Sequence, residues 1–215
     1  MQTGNAELFP FDEPLEIVPG AFFLGGFARA QAAELFAAVR EVWKCAPPRI
    51  LHTPGGHRMS VAMTNCGDLG WVSDEAGYRY TRINPATGKP WPDMPETLRR
   101  IAHAASAAVG FYDFDPDVCL LNRYEPGARM ALHQDRNERD FRWPIVSVSL
   151  GLPGVFQFGG LRRAERPQRI PLAHGDVVVW GGPARLRYHG ILTLKDGHHP
   201  LTGAIRINLT FRHAG

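Results

Sequence analysis

At Val118 the apolar spacing of this chain changes from helical to alternating, and seven short runs follow, at 118–124, 144–152, 155–158, 169–172, 176–180, 185–191 and 204–212. Pro153-Gly154, Gly159-Gly160, His174-Gly175 and Gly181-Gly182-Pro183 punctuate them. Alternation sends every second side chain to the same face, so each run offers one apolar face to a core. Short strands at this pitch, closed by Gly or Pro, predict a β-sandwich or jelly roll, with an open mixed sheet as the alternative.

The first half of the chain reads differently. Residues 15–24 alternate around Pro19-Gly20, which predicts strand, turn and strand. Over 30–45 the apolar residues Leu35, Phe36, Val39 and Val42 have helical spacing, and Pro47-Pro48 stops the helix. A second helix is expected over 95–109, with Leu98, Ile101, Ala102 and Ala105 inward and Gly110 closing it. Between the helices, 51–91 reads as loop-rich, yet it holds Met59, Met63, Trp71, Tyr78 and Tyr80. Long loops in compact domains are lids, binding loops or disordered, and this one is too apolar for disorder.

No internal repeat, low-complexity tract or linker divides the 215 residues, so a single domain is expected, with a lid at about 50–92 and a β core at about 115–215. No apolar run approaches the ~18 residues of a membrane span. Residues 1–14 are acidic and contain proline, unlike a secretory leader. Cys45, Cys66 and Cys119 form no CxxC pair and read as reduced thiols, so a cytoplasmic setting is expected. A net charge of +3 permits a nucleic-acid partner without demanding one. Only Lys44, Lys89 and Lys195 among the basic residues are lysines, which reads as compositional bias before it reads as phosphate binding.

Chemistry concentrates at His133-Gln134-Asp135. Residues i and i+2 of an extended segment share a face, so this short stretch can offer an imidazole and a carboxylate to one ion. With one distant histidine they would complete the facial triad of non-haem Fe(II), although His-x-Asp alone is common by chance. His189, near the end of a late strand, is the candidate. His52, His57, His103, His174, His198, His199 and His213 read as structural. The last run places Ile205, Ile207, Leu209 and Phe211 on one face and Arg206, Asn208, Thr210 and Arg212 on the other. A polar face in water is the plain reading. Two arginines and an amide in line would also clamp a dicarboxylate, with Asn122 and Tyr124 sharing a face nearby. Triad and clamp together suit a 2-oxo acid chelated to iron at its keto-acid end and salt-bridged at its far carboxylate.

The chain resembles the AlkB-type Fe(II)- and 2-oxoglutarate-dependent nucleic-acid dealkylases. Nearly its whole length carries the resemblance: Thr53-Pro54-Gly55-Gly56, Met59-Ser60-Val61-Ala62-Met63-Thr64-Asn65-Cys66-Gly67, Leu69-Gly70-Trp71, Asn122-Arg123-Tyr124, His133-Gln134-Asp135, the stretches 145–153, 156–161 and 175–182, and Asn208-Leu209-Thr210-Phe211-Arg212. The resemblance implies an α+β fold: a double-stranded β-helix (jelly roll) with two packing helices and an N-terminal nucleotide-recognition lid. It implies His133, Asp135 and His189 as the catalytic iron ligands, and Asn122, Tyr124, Arg206, Asn208 and Arg212 as 2-oxoglutarate contacts. Trp71, Tyr78 and Tyr80 match lid aromatics, and Arg163 matches a basic residue at the substrate mouth. With Fe(II), 2-oxoglutarate and O2, the implied reaction hydroxylates an N-alkyl carbon of a damaged base such as 1-methyladenine or 3-methylcytosine. Succinate, CO2, an aldehyde and the repaired base result. Alkylated single-stranded DNA is the implied partner, with no membrane and a monomeric enzyme. RNA, a protein side chain or a small molecule is the alternative substrate, and a non-catalytic binding barrel the more distant one. Two departures stand out. Arg136-Asn137 occupies the place of a basic and an acidic residue, with Glu138 following, so Asn137 stands near the substrate base without a charge. His57-Arg58 replaces an aromatic-plus-hydroxyl pair in the lid.

Overall fold

The computed structural model describes residues 13–215. The reading of 1–14 as unlike a secretory leader therefore lies, but for Glu13 and Pro14, outside the described residues. In chain order the elements are β1 (Leu15–Val18), β2 (Ala21–Leu24), α1 (Ala32–Cys45), β3 (Arg49–His52), β4 (Arg58–Gly67), β5 (Gly70–Asp74), β6 (Gly77–Thr81), β7 (Ile83–Asn84), β8 (Lys89–Pro90), α2 (Glu96–Ala107), β9 (Val118–Tyr124), β10 (Met130–His133), β11 (Ile145–Gly151), β12 (Gly154–Phe158), β13 (Gln168–Leu172), β14 (Val177–Trp180), β15 (His189–Ile191) and β16 (Arg206–Arg212), with a 3-10 turn at Gly182–Ala184.

Two antiparallel sheets face one another. The larger has eight strands in the order β1-β2-β14-β11-β16-β9-β4-β3, and the smaller has four in the order β10-β15-β12-β13. The helices cover the outer face of the larger sheet. Leu35, Val39 and Val42 of α1 and Leu98, Ile101, Ala102 and Ala105 of α2 share a core with Val146, Val148, Val177, Val179, Ile207, Leu209 and Phe211. Burying one such Leu or Ile contributes ~1.5–3 kcal/mol. The opposite parity of the same strands faces the smaller sheet, where Leu120, Tyr124, Ile145, Val178 and Trp180 meet Phe156, Phe158, Leu172 and Ile191. This is the expected jelly roll with two packing helices.

The face of β16 that read as solvent-exposed is not in water. Arg206, Asn208, Thr210 and Arg212 are all buried between the sheets, so a core that would ordinarily be apolar carries two guanidinium groups and an amide. Ser147 and Ser149 from β11 and Asn122 from β9 join them. Such a polar interior holds only if something satisfies it.

Several boundaries differ from expectation. Region 51–91 is not loop: it holds the long strand β4, paired with β9 inside the large sheet, and the hairpins β5–β6 and β7–β8. β4 alternates only over Arg58–Met63, where Met59, Val61 and Met63 share the inner face; its second half is covered on both faces, so the period-2 signal breaks off there. β10 escaped notice because its four residues are only partly covered. In the run at 185–191 only His189–Ile191 is strand. Among the described residues no helix is long and apolar enough to cross a membrane, and all three cysteines are free, Cys66 and Cys119 buried and Cys45 exposed.

Candidate iron centre and its surroundings

β10 and β15 are neighbours in the small sheet, and their register pairs His133 directly with His189. Glycine at 190 permits this approach: a Cβ there would meet the Met130 carbonyl oxygen at 2.6 Å. The two imidazoles lie 4.4 Å apart between centroids. Asp135 sits two residues beyond the end of β10, past the strand that i,i+2 alternation assumed, and still turns to the same place. Between them Gln134 goes elsewhere, its amide donating to the Leu186 carbonyl at 2.6 Å. One Asp135 oxygen lies 3.8 Å from His133 Nε2 and the other 3.5 Å from His189 Nε2. One ligand atom from each of the three residues lies within 4.8 Å of the others.

Tautomers are set by the backbone. His133 Nδ1 faces the Ala131 carbonyl at 2.9 Å and His189 Nδ1 the Arg187 carbonyl at 3.1 Å. A carbonyl only accepts, so each Nδ1 carries a proton and Nε2 is the ring atom turned toward Asp135. A third of the His133 side chain reaches solvent. Even so, loss of water around the ring, then the neighbouring His189, pushes the imidazole down to about 4. It is neutral and ready to ligate at neutral pH. Burial alone would raise the Asp135 carboxyl, but Arg212, then His189 and His133, hold it well below the usual carboxylate range. Two imidazoles and one carboxylate are the donor set of an Fe(II) facial triad.

Behind Asp135 lies a charge network that the sequence did not reveal. Arg212 Nη2 and Nε donate to its Oδ2 at 2.6 and 3.1 Å. Glu138, buried, lies 3.4 Å from Arg212 Nε and 3.2 Å from Arg185 Nη2. Arg185 in turn donates to the Asp135 main-chain carbonyl at 2.9 Å and to that of Trp143. The Tyr80 hydroxyl donates to Glu138 at 2.6 Å. Burial pushes the Tyr80 phenol well up, opposed by Arg212, so it keeps its proton. No pattern singled out Arg185. Glu138 stood one turn of chain from Asp135 and could have been marked as a charge with nowhere to go but inward.

Next to the triad is a polar cradle. Register places Tyr124 opposite Arg206 and Asn122 opposite Asn208 across β9 and β16. Arg206 is only 1% exposed and makes one hydrogen bond, from Nη2 to Ser149 Oγ at 2.9 Å, while Nε and Nη1 have no partner. Asn122 Oδ1 and Arg212 Nη1 are likewise buried without one. Tyr124 OH reaches only the Met130 sulfur, at 3.8 Å. Asn208 differs: its amide donates to Ser147 and Val148, and its oxygen accepts from Asn122 and Thr210, so it is committed to holding the cradle together. A buried guanidinium with two empty donors is costly unless an anion completes it. A carboxylate matches that requirement, and the residues present fit a dicarboxylic 2-oxo acid.

At the mouth, Trp71 and Tyr78 stack at 5.6 Å with an interplanar angle of 14°. Trp71 Nε1 donates to Asn137 Oδ1 at 3.4 Å, tying the β5–β6 hairpin to the segment that carries Asp135. Tyr80 does not join the stack but turns inward to Glu138. Arg163, in the loop after β12, donates to the Leu132 carbonyl beside His133 and lies over the Tyr188 ring, 5.5 Å from its centroid.

Over residues 20–212 the sequence matches the 2OG-Fe(II) oxygenase superfamily. The chain belongs to that family. It is 54% identical over 210 residues to the alpha-ketoglutarate-dependent dioxygenase AlkB of Escherichia coli (strain K12), covering 98% of this chain and 96% of that protein. The nucleic acid dioxygenase ALKBH1 of Homo sapiens is 32% identical over 124 residues, 57% of this chain and 31% of that protein. The structure of OsALKBH1 superposes with a TM-score of 0.83 at 25% identity, covering 93% of this chain and 99% of that one. This chain is thus an Fe(II)- and 2-oxoglutarate-dependent dioxygenase. The His133–Asp135–His189 donor set fits the iron of that family.

Proposed function

We infer that this dioxygenase oxidatively dealkylates N-alkylated bases in nucleic acid, DNA before RNA. The observation that carries the reading is the stacked Trp71–Tyr78 pair, fastened through Asn137 to the chain two residues from Asp135. A flat aromatic platform at the mouth of an iron site suits a planar unpaired base, since stacking contributes ~1–3 kcal/mol per base regardless of its identity. The name of the human relative, a nucleic acid dioxygenase, points the same way.

Fe(II) with 2-oxoglutarate and O2 supplies the oxidation of the alkyl carbon, and 2-oxoglutarate leaves as succinate and CO2. His133, Asp135 and His189 would hold the metal. Arg206 would take the distal carboxylate of 2-oxoglutarate, with Tyr124 and Asn122 as further hydrogen-bonding groups and Asn208 keeping Asn122 in place. Arg212 acts from behind, its charge keeping Asp135 ionised, and its free Nη1 leaves room for one contact to the cosubstrate. Trp71 and Tyr78 would cover the base, with Asn137 beside it. Arg163 would meet the strand at the rim, and residues at about 50–92 would serve as the lid. Tyr80 has a different duty: its bond to Glu138 anchors the hairpin to the charge network under the iron ligand.

An unpaired strand is the preferred form, because extruding a paired base costs roughly a few kcal/mol. A monomer as the working unit and the cytoplasm as its setting complete the reading, the latter supported by the three free thiols. The deciding experiment measures succinate release with Fe(II) and 2-oxoglutarate. A methylated single-stranded oligonucleotide should stimulate it and free amino acids or peptides should not. Stimulation by a peptide and none by the oligonucleotide would overturn the proposal.

A further inference from the structure

We propose that the outer face of the β12–β13 hairpin is a phosphate track, along which the polynucleotide backbone leaves the iron mouth. This rests on the nucleic-acid reading above and adds where the strand runs. Between Leu161 and Arg169 the chain carries Arg162, Arg163, Arg166 and Arg169 against one acid, Glu165. That acid is committed to Arg162: its carboxylate accepts from the Arg162 backbone N–H at 2.8 Å and lies 3.6 Å from the guanidinium Nε. Arg163 is turned to the rim of the mouth. Arg166 and Arg169 have no acidic partner among the described residues, and both are exposed.

These two arginines are not scattered on a convex surface. With Gln157 and Pro167 they line a hollow of about 380 Å³. Register locates it: Gln157 is opposite Arg169 on β13, and the adjacent Phe158 is opposite His189 on β15. Phe158 is buried beside Trp180 between the sheets. Alternation therefore puts Gln157 and Arg169 on the outer side of the same sheet, one residue along from an iron ligand. The hollow lies at the iron end of the barrel but outside it.

The frame around the hollow is fixed. Gly159 N–H donates to the Tyr188 carbonyl at 2.7 Å and Tyr188 N–H to that of Gly160 at 2.9 Å, while Arg187 Nε donates to the Gly159 carbonyl at 2.6 Å. The backbone leading into the loop is thus held in place, and binding has chiefly the exposed arginine side chains left to order. Guanidinium forks match phosphate oxygens in pairs, and the Gln157 amide adds a neutral donor. Phosphodiesters lie along a strand at regular spacing, so a base lodged at the mouth places its neighbours' phosphates within reach of the rim and then of this outer face.

The test uses Mn(II)-loaded protein with 2-oxoglutarate and a fluorescent methylated single strand, its affinity followed across salt concentrations. Replacing both residues (Arg166→Gln with Arg169→Gln) should lower the slope of log K against log salt by roughly 1.4, at about 0.7 per lost phosphate contact. Lysine at both positions should restore the slope, and Fe(II)-driven succinate release with a methylated trinucleotide should be the same as in wild type. An unchanged slope in the glutamine variant, with the wild type binding normally, would overturn the track and leave the nucleic-acid reading intact. A wild type that binds no strand at all would overturn both.

Discussion

Arg206→Met is the substitution with the sharpest consequence. The guanidinium is 1% exposed, bonds only Ser149, and leaves Nε and Nη1 empty. Burial lowers its proton affinity, with Tyr124 and Asp176 offsetting part of the effect. Each buried unpaired donor costs ~1–3 kcal/mol, so the ligand-free protein carries several kcal/mol at this one side chain. Methionine fills a similar volume with no charge, and apolar replacement of a buried ion is commonly neutral or stabilising by ~1–4 kcal/mol. In wild type, 2-oxoglutarate at a hundred times its Kd should stabilise the Mn(II)-loaded protein by ~2.7 kcal/mol. At ~2–4 °C per kcal/mol for a chain of this size, that is a rise in Tm of roughly 5–10 °C. Thermal unfolding followed by intrinsic fluorescence should show the variant melting no lower than wild type without ligand, and showing no shift with it. A retained shift would refute Arg206 as the clamp. A ligand-free variant melting well below wild type would refute the cost assigned to its empty donors.

Glu138→Gln removes the buried charge between Arg185 and Arg212, 3.2 and 3.4 Å away. It should lower stability to urea by ~3–5 kcal/mol, as breaking a buried pair does, whereas Tyr80→Phe loses one hydrogen bond to the carboxylate and should cost ~1.5–3 kcal/mol; equal losses would mean that charge is not what the network provides. The imidazole of His133 sits at about 4 in the folded protein against 6.5 for an ordinary histidine. The unfolded chain therefore binds more protons between these values, and this contribution to stability is fully present above pH 6.5 and lost as pH falls toward 4. His133→Gln should flatten that part of the metal-free stability profile, and an unchanged profile would contradict the reasoning. Asn137→Asp places a carboxylate beside Trp71 and should raise the rate on cationic relative to neutral lesions. Unchanged relative rates on 1-methyladenine and a neutral lesion would count against it.

Much of the barrel could be read because its strands alternate and end at Gly or Pro. The alternation of β16 was visible residue by residue, yet the side chains could not say that the polar face was buried, since a clamp and a wet surface have the same pattern. β4 was lost for the opposite reason: it alternates only over Arg58–Met63, and its second half is covered on both sides and shows no alternation. The triad was legible because ligand chemistry restricts residue types so strongly. The role of Tyr80 was not, because stacking at a lid and anchoring to a buried carboxylate both call for a tyrosine on an exposed-looking hairpin. Arg212 read as a clamp residue, and the fold spends two of its three nitrogens on Asp135, which only the proximity of β16 to the end of β10 could decide.

The most direct measurement follows the alkyl group itself. With Fe(II), 2-oxoglutarate, O2 and methylated single-stranded DNA, the wild type should release formaldehyde and succinate in equal amounts, and His133→Ala neither. Equal product from His133→Ala, or succinate without formaldehyde from the wild type, would contradict the account of an iron-centred dealkylase built on His133, Asp135 and His189.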